Sequence, residues 1–141
     1  MVFVNRSGIE QQMSTPPPAP IARIAAALLG LESLALLALA CWEIVALIGS
    51  GAGSVASALA LIVMTLIGAA GLAAFAWAVV VGRSWGRSGG IVAQFLVIAV
   101  AVGSVTGAYA HPLIAVAIGA PGVITLILLL LTERADPAHR R

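Results

Sequence analysis

Glu32, Gln94, Glu43, Tyr109 and His111 are the side chains of this sequence whose types and positions could do chemistry. Each lies within or at the edge of a long run of Ala, Leu, Ile, Val and Gly. A charged side chain in hydrocarbon costs roughly 2.5–3.5 kcal/mol on insertion scales. Glu32 should therefore face other helices, be protonated, or be paired. It lies nine residues beyond Arg23, roughly 13 Å along a helix. Gln94 lies seven residues beyond Arg87, about 10 Å by the same rise, on a segment entering from the same side. The two depths are similar, so Glu32 and Gln94 are expected to approach each other. The pair is either a polar clasp that sets helix register or a protonatable or cation-binding site. Replacing Glu32 by Gln separates these: a clasp tolerates the change and proton coupling does not.

Glu43 is eleven residues after Glu32, about three helical turns, so both lie on nearly one face. It belongs near the far surface beside Trp42, and Tyr109 and His111 should reach a comparable height. This outer set is either joined by a Glu43–His111 hydrogen bond or is a wetted carboxylate that touches nothing. His111 and His139 are too far apart for a metal site, and no HExxH or CxxC spacing occurs. No metal and no cofactor is expected. The single Cys41 allows no internal disulfide framework. Serines 33, 50, 54, 57 and 104 have no His or Asp arranged as partners. No catalytic constellation is visible, and the chain is not expected to be an enzyme.

The elements that must position these groups follow from composition. Of 141 residues 62% are hydrophobic and 9% charged, against about 25% charged in a soluble domain. Lipid is the fitting solvent for such a surface. Net charge is +2, and every basic residue is Arg. That balance suggests neither nucleic-acid binding nor a polybasic tail. Residues 1–20 are polar, end in TPPPAP, and read as an extended, disordered arm.

Apolar segments then run over about 21–48, 55–81, 91–108 and 113–131, followed by a short charged tail at 132–141. A helix of roughly 20 residues crosses a ~30 Å hydrocarbon core, and lipid offers an unpaired amide no partner. The joints GSGAGS (49–54) and GAYAHP (107–112) are short, which makes consecutive spans antiparallel. The expected fold is all-α: a polytopic membrane protein, an antiparallel four-transmembrane-helix bundle made of two helical hairpins.

The third joint, GRSWGRSGG (82–90), reads as a topology signal. Arg6, Arg23, Arg83, Arg87, Arg134, Arg140 and Arg141 all fall on one side of the membrane. The positive-inside rule places that side, with both termini, in the cytoplasm of a bacterial inner membrane. Arg23, Arg83, Arg87 and Arg134 can reach lipid headgroups, and Trp85 can anchor there. Among small residues, Ala99, Gly103 and Gly107 recur every fourth position, as do Ala22, Ala26 and Gly30, and Ala115 and Gly119. Such faces let backbones approach, either within the chain or between copies. Pro121 lies mid-span and is expected to kink the last helix.

The stretch RSWGRSGGIVAQFL (83–96), with the ending LILLLLTERA (126–135), resembles a broad group of small, uncharacterised actinobacterial membrane proteins. Arg83, Trp85, Arg87 and Gln94 carry the likeness, which covers residues about 21–135. The resemblance implies four spans and a lineage, and carries no activity. The small multidrug resistance family also has four short spans and a Glu in the first, but its Trp and Tyr pattern is missing here.

Two functions follow as expectations. The first is a non-enzymatic accessory or scaffold subunit of an inner-membrane assembly, whose partners are the bilayer and a larger membrane complex. The alternative is a small transporter or channel, working as an oligomer of itself, with Glu32 as a protonatable coupling residue.

Overall fold

The computed structural model of the chain describes residues 19–49, 53–106 and 110–134. Among the described residues are four helices: α1 (Pro20–Gly49), α2 (Val55–Val80), α3 (Ser84–Thr106) and α4 (Pro112–Arg134). All are long and apolar enough to cross a membrane. At 30 residues α1 is the longest, about 45 Å by helical rise. That exceeds the ~30 Å core and calls for tilt or protrusion. Gly107 and Tyr109, the arm to residue 18 and the tail from 135 lie outside the described residues.

The helices form two close hairpins, α1 with α2 and α3 with α4. Looser contacts of α2 with α3 and of α1 with α4 close the ring. Packing is inverted relative to a water-soluble bundle. The buried set is dominated by alanines (22, 25, 26, 40, 69, 78 and 101), while Leu31, Leu34, Ile67, Val92 and Leu113 point outward. Lipid tails are as apolar as leucine, so burying leucine brings no net gain; small residues allow the backbones to come close. Leu29, Leu72, Val79 and Leu129 complete the core beside Ala22, Ala25 and Ala26.

The segment 82–90 is not the loop its composition suggests. Helix α2 ends in a Schellman turn: Gly82 N–H donates to Val79 O (3.1 Å) and Arg83 N–H to Ala78 O (2.8 Å). Gly82 takes φ +75°, which a side chain would strongly disfavour. The third helix then starts at Ser84 instead of about residue 91. The physical reason is close approach. A Cβ on Gly86 would collide with Ala78 Cβ and stand 2.8 Å from Val79 N, and one on Gly89 would enter the Phe75 ring. These glycines seat the first turns of α3 on the end of α2.

Small residues elsewhere divide. Gly119 packs on α3, where its Cβ would stand 3.2 Å from Ala101 Cβ. Gly30 and Gly103, expected on packing faces, have no atom within 4 Å of an added Cβ, and Ala99 is exposed. The four-residue spacing is real, but on α3 it falls on the outward face. Helix α4 continues through Pro121 to Arg134. Proline has no N–H, so the Ala117 carbonyl loses its usual donor there.

Candidate functional site

The deepest polar residues meet where all the helices pass. Glu32 lies twelve residues from the start of α1, Gln94 ten from the start of α3 and Thr125 nine from the end of α4. Along the helices these are about 18, 15 and 13 Å from the arginine-bearing end. Gln94 Nε2 donates to Glu32 Oε2 at 2.6 Å. Thr125 Oγ1 donates to Glu32 Oε1 at 2.9 Å. The next residue reaches the remaining helix: Ser33 Oγ donates to the Ala69 carbonyl of α2 at 2.8 Å. The dipeptide Glu32–Ser33 thus hydrogen-bonds to α2, α3 and α4 at one level.

Burial makes these bonds consequential. Gln94 and Thr125 are fully buried, Ser33 nearly so, and Glu32 is half-buried. In low dielectric a hydrogen bond is electrostatically strong, and an unpaired polar atom is costly. Within this cluster one atom stands in that costly state: Gln94 Oε1 has no hydrogen-bond partner among the described residues. It faces the backbone of α4, where a Cβ on Gly122 would lie 3.1 Å from Oε1 and 3.0 Å from Val97 Cγ1. Gly122 is therefore the residue that lets the Gln94 amide fit between α3 and α4.

Sequence spacing put Glu32 and Gln94 at one depth but did not point to Thr125 or Ser33. A signal for Thr125 existed. It lies nine residues before Arg134, as Glu32 lies nine after Arg23, and it is an isolated hydroxyl within ITLILLLL. Ser33 carried no comparable signal, because its acceptor is a backbone carbonyl.

The outer set is arranged otherwise than expected. Glu43 Oε1 accepts from Thr65 Oγ1 of α2 at 3.4 Å, and Thr65 Oγ1 lies closer to its own Leu61 carbonyl, at 2.9 Å. Glu43 Oε2 is buried and unpartnered among the described residues. His111 is exposed and is not a partner of Glu43. The reason is topological: Glu43 faces α2 within the first hairpin, whereas His111 opens α4 in the second. The backbone N–H of His111 instead donates to Ser104 O across the α3–α4 joint (3.2 Å). Cys41 is exposed on the outer surface of α1.

At the arginine end, Arg83 stands over the Trp77 ring, 5.7 Å from its centroid. Trp85 meets Phe75 edge-on with centroids 6.0 Å apart. Arg23 and Arg134 are exposed, and Arg87 is half-buried. Arg134 closes the last turn of α4, where a cation complements the helix dipole.

No family model, curated protein or solved structure matches the chain. What the chain itself carries is a set of helices of spanning length and hydropathy, packed as two hairpins around an internal polar level. By those features it is a multi-pass integral membrane protein in contact with a lipid bilayer.

Proposed function

We propose that the chain is a non-enzymatic accessory or scaffold subunit of a membrane assembly, held in register by a clasp at Glu32. One observation carries the reading: both Glu32 oxygens and the Ser33 hydroxyl are spent on bonds to the other helices. A carboxylate with both oxygens engaged within its own bundle sets geometry. The outward leucines, isoleucines and valines leave broad apolar faces on which membrane neighbours can pack. The arginine bias supports cytoplasmic termini in a bacterial plasma membrane.

Isolation of the chain in mild detergent tests this. The expected result is co-isolation with a larger membrane complex. A homo-oligomer alone, with Glu32-dependent flux in liposomes, would overturn it. Glu32→Gln should leave assembly intact. Its amide oxygen can still accept from Gln94, and its N–H can meet the Thr125 hydroxyl turned to accept. For topology, Gly51→Cys should label with an impermeant thiol reagent from outside, and Ser84→Cys, at the exposed start of α3, should label only once the membrane is permeabilised, each in a Cys41→Ser background.

A second reading is a small oligomeric transporter or channel using Glu32 as its coupling acid. The partnerless Gln94 Oε1 beside the carboxylate favours it, as does Pro121 adjoining Gly122. Four helices enclose too narrow a space for an aqueous path, so this reading requires an oligomer.

A further inference from the structure

The loose seam between α2 and α3 opens into an apolar groove of about 560 Å³, within the ~300–1,000 Å³ usual for ligand sites. Gly68, Gly71 and Phe75 line one side, Gly89, Val92 and Leu96 the other. Lateral openings in a membrane bundle face acyl chains, and three features here go further. The first is Gly71. A glycine inside a helix costs about 1 kcal/mol relative to alanine, and close helix contact is the usual compensation. Gly71 makes none: an added Cβ would meet no atom within 4 Å. What its missing side chain provides is the groove.

The second feature is depth. On α3 the lining runs from Ser88 to Val97, nine residues or about 13 Å. That is close to half of a ~30 Å hydrocarbon core, or one leaflet. The third is charge. The groove ends beneath the α2–α3 joint that carries Arg83, and among the described residues that end of the bundle also holds Arg23, Arg87 and Arg134 with one acid, Glu133. The described part of the opposite end has no basic side chain except His111. An anionic headgroup is matched at the arginine end. The Phe75–Trp85 pair sits between joint and groove, at the level where a chain joins its headgroup.

We infer that the α2–α3 groove holds one acyl chain of an anionic phospholipid, whose phosphate lies at the level of Arg83. Native mass spectrometry of the full chain in mild detergent tests this, with phosphatidylglycerol or phosphatidylcholine added. The wild-type chain should retain one phosphatidylglycerol at least fivefold over phosphatidylcholine. Gly71→Leu, which fills open space, should reduce retention about tenfold with helicity unchanged by circular dichroism. Arg83→Gln should bring the headgroup preference close to unity while a lipid is still retained. Equal retention by Gly71→Leu and wild type would overturn the inference. So would loss of a dimer in Gly71→Leu with lipid retention unchanged, which would make a second copy the occupant.

Discussion

At the arginine end, Ala25, Leu29, Ala78 and Leu129 are completely buried, and α3 lies so close to α2 that Gly86 has no room for a methyl group. Toward the opposite end, Trp42, Val45, Ile48, Leu113 and Val116 all point outward, and Gly103 has open space around its Cα. The polar pairs differ in the same sense. Glu32 is engaged at 2.6 and 2.9 Å, whereas Glu43 has one contact at 3.4 Å. In lipid, association needs close backbone approach or interhelical hydrogen bonds. The arginine end has both; toward the other end Gly119 still packs on Ala101, but Ala99 and Gly103 face outward and the carboxylate contact is long.

The contrast can be broken from either side. The largest expected effect is Gly86→Ala, which forces a methyl against the backbone at Ala78–Val79; a loss of about 2–3 kcal/mol is expected in unfolding by SDS. Glu32→Ala comes next. It leaves the Gln94 amide and the Thr125 hydroxyl without their acceptor, and about 1–2 kcal/mol should be lost in the same assay. Thr125→Val removes one donor and keeps the shape; a loss of about 0.6–1.7 kcal/mol follows, and a change near zero would mean that Gln94 alone holds the carboxylate. Gly103→Ala, in open space at the far end, should change stability by no more than about 1 kcal/mol and toward greater stability, because alanine is the better helix former. A loss there as large as at Gly86 would mean that the two ends are equally tight.

Much of the fold was legible because lipid simplifies the code. A run of about 20 apolar residues must become a helix, and the helices begin and end within a few residues of the apolar segments at α1, α2 and α4. The start of α3 was not legible. SWGRSGG has the composition of a turn, and only the approach of α2 shows that its glycines serve packing. The pairing of Glu32 with Gln94 could be anticipated from counts along the chain, because helical rise converts residue number into depth. Azimuth cannot be counted in that way. For that reason counts along the chain left Glu43 either joined to His111 or touching nothing, where it meets Thr65 of α2, and left the face of Ala99 and Gly103 open between neighbours within the chain and a second copy.

By itself the sequence determined the solvent, the number of spans and the level of each polar group, since hydropathy and rise per residue are properties of one helix at a time. The tertiary structure alone decided which faces meet. It turned Thr125 and Ser33 inward, left Gly71 over a void and set Gly86 against Ala78. Rotation of one helix about its axis depends on the helices beside it, and in a chain apolar on every side no periodicity records that choice.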